Sequence, residues 1–537
     1  MEILDSQRHP SWLTARNNRL LFLTGFILLV LSLFLPISKY PVYLEESRRA
    51  IISLEMILRN NLLVPTQYGE LYYNKPPLWN WVIILAFKIF GNYSEFAIRF
   101  FNVLSFIGMG ALMYYFGKRY VNERFGIYSA MFFLTNYFLL LFSSLLGGID
   151  LFYSFLTVCG FLFFYHHYRK GNRFLMFFLF YLFHALGFLA KGLPSIAFIG
   201  LTLLAFMVYK RQIKPLLCWQ HVAGIILFLA MTGGYFLLYH QYHDVSEYLK
   251  TLFFQASQRT AVSKTFLNLI GHLFVFPFEV LKNTLPAALG IIFVFNKRFL
   301  RQIKENDYLK FFLYVFLGNI LLYWLSPGTR PRYLIMLYPL LINIFVFALT
   351  LYYGKNQRQT KIFDTLIAVV MLSAMVFLIV LNFIPVLEKI ENLHVNSLLA
   401  FIAGAFIIFV FFKYKHLRIW SLLFMVILSR MVFNFSVLEH RAAYEKPAMM
   451  KDYAYEMLDK IGEKPVHIYG NTEVAKTTVF YLEKELLEVI DVQNKLKKHH
   501  YYFISDAVKD VSNYENLYSF QNMRGQKLHL IRYLGEK

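Results

Sequence analysis

The sequence predicts an all-α polytopic membrane protein, with about thirteen transmembrane helices and a small soluble α/β domain at its C-terminal end. The first observation is composition: 58% of the 537 residues are hydrophobic and only 16% are charged. A soluble protein of this length would have to bury far too much apolar surface. The second observation is a series of long apolar runs separated by basic loops, and the third is a change to mixed composition from Leu438 onward.

The apolar runs are interpreted as spanning helices because a helix needs roughly 17 to 25 apolar residues to cross a bilayer. We predict these spans at residues 20–37, 97–116, 126–145, 149–165, 174–190, 194–209, 222–239, 277–295, 309–325, 333–352, 362–384, 397–412 and 419–436. The transmembrane domain is therefore predicted to occupy residues 1–437, and the soluble domain residues 438–537.

Basic residues fall in alternate loops between these spans. Arg8, Arg16 and Arg19 precede the first span without a cleavage site of small residues after it, which predicts a retained signal anchor. Further basic clusters lie at residues 118–124, 169–173, 210–214, 297–304, 355–361 and 413–418. By the positive-inside rule, the N-terminus and these loops are cytoplasmic, and the C-terminal domain is extracytoplasmic.

This distribution explains the net charge of +22 by membrane topology, so no nucleic-acid partner is expected. The two cysteines, Cys159 and Cys218, lie in or beside apolar runs and predict neither a disulfide framework nor a metal site. We find no repeat that relates the two halves of the chain, which disfavours a secondary transporter.

The C-terminal domain shows short apolar runs that predict strands at residues 466–469, 486–490, 501–504 and 527–533. Helical stretches are predicted at 444–460 and 473–483. The domain has no phosphate loop or dinucleotide-binding motif. We expect it to be structural or to handle an acceptor.

One polar segment, residues 45–96, stands between very apolar neighbours and is predicted to be the extracytoplasmic catalytic loop. Apolar residues recur at helical spacing after Glu45, which predicts an amphipathic helix that lies on the membrane surface and ends at Val64-Pro65. Residues 78–90 predict a second helix that is too short to span. Lys75 lies in the turn between the two.

Three other loops on the same predicted face carry charged residues. Asp150 follows a Gly-Gly-Ile turn, and Lys191 stands alone between two apolar runs in Ala-Lys-Gly. Arg330 and Arg332 precede Tyr333, against the positive-inside trend. Guanidinium groups match phosphate oxygens, so the arginine pair indicates a phosphate clamp.

These motifs and their order along the chain resemble those of a known family. Glu-Glu-Ser-Arg-Arg-Ala at 45–50, followed by Tyr-Tyr-Asn-Lys-Pro-Pro-Leu at 72–78, is similar to the first extracytoplasmic loop of the GT-C superfamily of membrane glycosyltransferases. The nearest patterns are those of the lipid A aminoarabinose transferases and of dolichyl-phosphate-mannose-protein mannosyltransferase-like enzymes. The resemblance covers residues 15–350 and includes the Gly-Gly-Ile-Asp, Ala-Lys-Gly and arginine turns.

This resemblance implies a glycosyltransferase that moves a sugar from a polyprenyl-phosphate donor to an extracytoplasmic acceptor by single displacement with inversion. It implies that Glu45, which stands where the family usually has aspartate, and Asp150 are catalytic. The residues implied to bind substrate or the donor phosphate are Glu46, Arg48, Lys75, Lys191, Arg330, Arg332 and Tyr333. The implied location is a bacterial inner membrane, with the active site on the extracytoplasmic face.

Alternatives stay open for single residues. The two loop carboxylates, Lys75 and the arginine pair would also fit as interfacial charges. Asp150 would fit as a helix N-cap and Lys191 as a snorkelling lysine. The acceptor is a lipid A-like lipid, a protein or an envelope glycan, with the lipid A type first. The cofactor is unknown: a divalent metal is left open, and the spacing of His240, His243 and Asp244 is only weak support for one.

Two other functions remain open for the whole chain. A transporter or flippase of lipid-linked substrates would also need many helices and buried charges. A catalytically inactive relative would act as a scaffold, and the glutamate at position 45 keeps that alternative open.

Overall fold

The structure, a computed structural model, describes residues 14–257, 266–385, 388, 390, 392–462, 464–508 and 511–535. Arg8 lies outside them. Helices dominate the chain as far as Leu486. Their bounds are α1 Ala15–Phe34, α2 Glu45–Leu58, α3 Leu78–Phe90, α4 Glu95–Tyr120, α5 Glu123–Leu134, α6 Tyr137–Leu141, α7 Ile149–Arg169, α8 Arg173–Lys191, α9 Pro194–Lys210, α10 Trp219–His240, α11 Ser246–Ser257, α12 Phe266–Asn283, α13 Ile291–Val294, α14 Phe299–Glu305, α15 Asp307–Trp324, α16 Tyr338–Tyr352, α17 Gln357–Val380, α18 Leu393–Lys413, α19 Arg418–Val432, α20 Leu438–Tyr444, α21 Lys446–Leu458 and α22 Lys476–Leu486.

The prediction of a polytopic helical membrane protein is confirmed. Within the described residues, nine helices are long and apolar enough to cross a membrane, or up to eleven if two bent pairs each count as one span. The two remaining predicted spans are also helical, as the 17-residue α9 and as α15.

Two predicted spans are not continuous. The run at 126–145 bends by 43° between α5 and α6, where the Asn136 side chain accepts a hydrogen bond from the Leu139 N–H and caps α6. The run predicted at 277–295 is wrong as one helix, since α12 ends at Asn283 and the chain then bends by 108°. Pro286 explains this break, because it lacks an N–H and disfavours the helical conformation of the residue before it.

Small residues let neighbouring spans approach closely. A Cβ on Gly126 of α5 would lie 2.6 Å from the Tyr114 carbonyl oxygen of α4, and one on Gly117 would lie 2.9 Å from the Gly126 Cα. No larger residue fits there, as is usual where membrane helices pack backbone to backbone.

Helix α2, in the segment predicted to be the catalytic loop, is more buried than its amphipathic pattern predicts. Ten of the 14 residues of α2 are buried, including Arg49 and Glu55, because α3 and α22 cover it. The helix ends at Leu58 and not at Val64-Pro65, since the Asn61 side chain accepts hydrogen bonds from the N–H groups of residues 63 and 64. Strands β1 (Thr66–Gln67) and β2 (Glu70–Leu71) then form a small hairpin, and α3 begins and ends where predicted.

The C-terminal part of the chain contains a five-stranded mixed sheet in the order β4-β3-β5-β7-β6. Its strands are β3 Val466–Tyr469, β4 Val492–Gln493, β5 Tyr501–Ser505, β6 Tyr514–Gln521 and β7 Lys527–Tyr533. The strand predicted at 486–490 is wrong: Leu486 ends α22, Leu487 takes a left-handed conformation, and the strand starts at Val492. Strand β6 was not predicted from the sequence. It is an edge strand whose residues are mostly exposed and polar, so it lacks the apolar pattern of a buried strand.

The link from the membrane helices to this sheet is helical. Helix α19, a π-helical turn over Phe433–Val437 and α20 follow one another without a break. The domain boundary between residues 437 and 438 stays a prediction.

Candidate functional site

A polar cavity of about 260 Å³ gathers eight of the nine predicted site residues. They come from the catalytic loop, from the starts or ends of α7 and α8, and from the turn before α16. The eight are Glu45, Glu46, Arg48, Lys75, Asp150, Lys191, Arg332 and Tyr333. Arg330 is exposed and lines neither this cavity nor the apolar cavity described below.

Glu45 is the first residue of α2 and lies at the cavity with a partly exposed carboxylate. Its two oxygens accept hydrogen bonds from Arg48 Nη1, at 3.0 and 2.9 Å, one helical turn away. Because 44% of the side chain remains exposed, the carboxylate is accessible to a substrate.

Glu46 has a different environment, although it is the next residue. Its side chain is fully buried, and its oxygens accept from Arg99 Nε at 2.6 Å and Nη2 at 2.8 Å. The Gly147 N–H donates to Oε1 at 2.7 Å. We therefore assign Glu46 to holding the loop against α4 and the Gly-Gly turn, because its lone pairs are occupied.

Asp150 does not cap α7, since the N-cap position is Gly148. Instead, Asp150 Oδ1 lies 2.5 Å from Lys191 Nζ, and Oδ2 lies 3.9 Å from Arg332 Nε. Lys191 is 5% exposed, so it does not snorkel towards the membrane surface. Its ammonium group faces the rings of Tyr153 and Tyr333, at 4.8 and 5.3 Å from their centroids.

Lys75 reaches the cavity because its turn is held from outside the loop. Tyr248 of α11 donates a hydrogen bond to the Lys75 carbonyl at 2.7 Å. Gln255, also on α11, donates to Asn74 Oδ1 at 2.7 Å. Helix α11 therefore fixes the Asn-Lys-Pro-Pro turn over the cavity.

Two arginines at the cavity carry buried donors that have no hydrogen-bond partner among the described residues: Arg48 Nε and Arg332 Nε. Arg332 Nε faces Asp150 Oδ2 at 3.9 Å, beyond hydrogen-bond distance. Burial is the largest influence on the Arg332 guanidinium and lowers its pKa, but Asp150, Tyr333 and Glu45 together raise that pKa by more, so the net shift is upward. Arg332 therefore stays charged and available to an anion.

A second cavity, of about 660 Å³, adjoins the first and is mainly apolar. Its walls come from α9 and the end of α15, with Ala197, Leu201 and Leu321 among them. Five residues line both cavities: Asn74, Lys75, Lys191, Gln255 and Tyr333. An amphiphile with an anionic head fits this arrangement, with the head in the polar cavity and the chain in the apolar one.

The sequence analysis missed residues that support the site from behind. Arg99 is buried and also donates to the carbonyls of Ile37 and Pro41, at 2.7 and 3.1 Å. Arg49 is buried and donates to the Tyr72 hydroxyl at 2.9 Å. A charge inside an apolar helix is costly unless it is paired, so the position of Arg99 near the start of the predicted 97–116 span could have identified it as a candidate site residue.

No group of three His, Cys, Asp or Glu side chains suited to a metal occurs among the residues with described structure. Asp244 accepts hydrogen bonds from Ser246 at the start of α11.

Comparisons with known proteins agree with this architecture. Residues 74–236 match the family model described as dolichyl-phosphate-mannose-protein mannosyltransferase. The chain is 28% identical over 230 residues to undecaprenyl phosphate-alpha-4-amino-4-deoxy-L-arabinose arabinosyl transferase 1 of Proteus mirabilis, covering 41% of this chain and 40% of the relative. An uncharacterized protein of Aquifex aeolicus is 26% identical over 199 residues, covering 37% and 39%. The chain thus spans about two fifths of these curated relatives.

The fold is similar to that of a solved transferase over nearly the whole chain. The crystal structure of ArnT from Cupriavidus metallidurans bound to undecaprenyl phosphate superposes with a TM-score of 0.72 at 17% identity, covering 98% of this chain and 100% of that one. The chain therefore has the GT-C fold and resembles the aminoarabinose transferases.

Proposed function

We propose that this protein is a membrane glycosyltransferase that takes a sugar from a polyprenyl-phosphate donor and transfers it to an extracytoplasmic acceptor. The observation that carries the proposal is the joined pair of cavities. The polar one holds carboxylates and the cations Lys75, Lys191 and Arg332, and the apolar one has room for part of an isoprenoid chain. The named relatives act on an undecaprenyl-phosphate sugar, which is this kind of amphiphile.

The phosphate of the donor fits between Lys75, Lys191 and Arg332, where the two cavities meet. These groups would neutralise the charge that develops on the phosphate as the bond from the anomeric carbon to its oxygen breaks. The phosphate leaves with the bonding electrons as polyprenyl phosphate. The acceptor oxygen attacks the anomeric carbon from the opposite side, so the configuration inverts.

Glu45 is placed to act on the acceptor side. Its carboxylate takes the proton of a hydroxyl acceptor or stabilises the positive charge on the anomeric carbon. An acceptor phosphate is already ionised near neutral pH and needs no base. Glu45 is one methylene longer than the aspartate usual in the family, and Arg48 fixes where the longer side chain ends.

A lipid A-like acceptor is proposed first, because the loop motifs resemble those of the lipid A aminoarabinose transferases, ahead of a protein or an envelope glycan. We place the protein in a bacterial inner membrane with the N-terminus inside. Support comes from the basic loops on one predicted face and from the meeting of residues 45, 75, 150, 191 and 332 in one cavity, all from loops on the other predicted face.

The test compares strains with the gene deleted, complemented with wild type, and complemented with Glu45→Gln. Lipid A, polyprenyl-phosphate sugars and envelope glycans are measured by mass spectrometry. We expect one glycan to be lost on deletion, restored by wild type, and reduced at least about a hundredfold with Glu45→Gln, while its polyprenyl-linked sugar accumulates. Glu70→Gln, an exposed carboxylate in the same loop, is the matched control.

Equal restoration by Glu45→Gln would remove Glu45 from the chemistry and favour a transporter or a scaffold. Loss of a glycan without accumulation of a lipid-linked sugar would argue against a transferase that uses such a donor.

A further inference from the structure

The residue before Glu45 has a strained backbone. Leu44 has φ 55° and ψ −126°, a region that residues with a Cβ rarely adopt. Its side chain is 57% exposed, so its own packing does not hold it there. Contacts on either side must therefore keep this corner of the chain in place.

On the N-terminal side, the contacts come from α22 of the C-terminal domain. The Val42 N–H donates to the Tyr481 hydroxyl at 3.2 Å, and the Val42 carbonyl accepts from the Thr477 hydroxyl at 2.9 Å. Thr477, Tyr481 and Val42 are all buried. Both backbone groups of Val42 are thus bound by side chains more than 430 positions away in the chain.

Helix α22 is itself anchored to the membrane helices. The Tyr481 hydroxyl donates to Glu95 Oε1 at 2.6 Å, and Lys451 Nζ lies 2.9 Å from the same oxygen. Glu95 is the first residue of α4, the helix whose Arg99 holds Glu46. Both sides of the Leu44 corner are therefore tied to α4. Val42 is tied to it through α22, and Glu46 through Arg99.

The first residue of α22 is within electrostatic range of the Glu45 carboxylate. Lys476 interacts electrostatically with Glu45 and with Arg48, although burial is the main cause of the lowered pKa of its ammonium group. A small shift of α22 would move the corner from which the Glu45 side chain begins.

We propose that Thr477 and Tyr481 are positioning residues for Glu45: they hold the strained Leu44 corner from the C-terminal domain and so aim the carboxylate into the polar cavity. This inference rests on the proposed transferase function. It limits the positioning role on α22 to the Thr477 and Tyr481 hydroxyls. A misplacement of about 1 Å can lower a rate roughly a hundredfold, so two hydrogen bonds to one backbone unit are sufficient for such a role.

The test uses Thr477→Val, which removes the hydroxyl but keeps the shape of the side chain. Thr478→Val is the matched control, because Thr478 is the next residue, equally buried, and donates to the Met450 carbonyl at 3.1 Å within the same domain. Each full-length variant is expressed in the deletion strain, and the modified product is measured at equal protein level. Purified variants are compared for Tm and for affinity towards undecaprenyl phosphate.

We expect Thr477→Val to lower the product at least tenfold, and Thr477→Ser and Thr478→Val to retain it. Undecaprenyl phosphate should bind the two valine variants equally, because neither Thr477 nor Thr478 lines either cavity. Product loss that is equal in both variants, or that follows Tm, would show a purely structural role and overturn the inference.

A second variant tests the strain itself. Glycine adopts φ 55° without a steric penalty, so Leu44→Gly should recover several-fold of the product lost in Thr477→Val. If the double variant is no more active than Thr477→Val, the hydrogen bonds from α22 to Val42 do not act against backbone strain at Leu44.

The failures of the two proposals can be told apart. If wild type restores no product, the transferase function fails. If wild type and Thr477→Val restore it equally, only the positioning role fails. In a Glu45→Gln background, Thr477→Val should cause no further loss, because it acts through Glu45.

Discussion

Lys191 Nζ lies 2.5 Å from Asp150 Oδ1, and this contact joins the end of α8 to the start of α7 where the two cavities meet. Only 4% of the lysine side chain and 19% of the aspartate side chain are exposed. The lysine lines both cavities, whereas the aspartate lines only the polar one. We therefore propose a role in donor binding for Lys191 and a role in product formation for Asp150.

The first prediction separates these tasks. Lys191→Met should weaken undecaprenyl phosphate binding at least tenfold and lower Tm, because it leaves Asp150 buried with only the more distant Arg332. Asp150→Asn keeps the cation, so donor affinity should persist while product formation falls. Binding to the purified protein and product in complemented cells measure the two effects, with exposed Lys250→Met as control. Equal loss of donor affinity in both variants would indicate a purely structural ion pair.

The second prediction concerns the arginine turn. Arg332→Gln should lower the affinity for undecaprenyl phosphate by about ten- to a hundredfold, since a hydrogen bond to a charged group contributes about 1.5–3 kcal/mol. Arg330→Gln should bind like wild type, because Arg330 is exposed and lies outside both cavities. Both variants keep the same turn and lose the same charge. A similar loss in both would mean that only the overall positive charge matters.

The third prediction concerns the pair behind the site. Arg99→Met should destabilise the protein by about 3–5 kcal/mol, because it leaves the Glu46 carboxylate buried without a cation. Adding Glu46→Gln should recover part of this loss. Tm and the yield of folded protein are the measurements. Arg119→Met, an exposed arginine at the other end of α4, should have little effect, and a comparable Tm loss there would contradict the assignment.

The fourth prediction concerns pH and the contact between α2 and α22. Burial raises the pKa of Glu483 well above its usual value, and Glu55 on α2 raises that pKa further. Burial also raises the pKa of Glu55, although hydrogen bonds from Thr66 and Tyr68 oppose the shift. The folded state therefore holds a proton that the unfolded chain releases near about pH 4.3. Stability from this pair is complete below that pH and is lost as pH rises through the raised pKa.

Glu483→Gln mimics the protonated form, so it should raise Tm by about 2–4 °C at pH 8 and by less at pH 5. Its amide oxygen keeps the hydrogen bond from the Ile490 N–H, which is 3.0 Å in the wild type. Tm of the purified protein is measured across this pH range, with exposed Glu488→Gln as control. A gain in Tm that is independent of pH would rule out the titration of Glu483 as its cause.

Features that depend on local composition and on order along the chain could be predicted from the sequence alone. Apolar runs fixed the membrane class, and the predicted helix at 78–90 and the strand at 466–469 match the structure at both ends. The charged loop motifs identified eight residues that line one cavity. These signals are local, because an apolar run and a charge at its end can be recognised without knowing which residues pack against them.

The partner of each charged side chain, in contrast, could be identified only from the folded chain. Glu45 and Glu46 are adjacent and chemically alike, yet Arg99 and the Gly147 N–H occupy one carboxylate while the other remains accessible. Arg330 is exposed outside both cavities, whereas Arg332, two residues later, lines the polar one. The hold of α22 on Val42 also connects residues far apart in sequence, and no periodicity or motif indicates it. Burial and pairing depend on which distant groups meet in space, and that information appears only when the chain is folded.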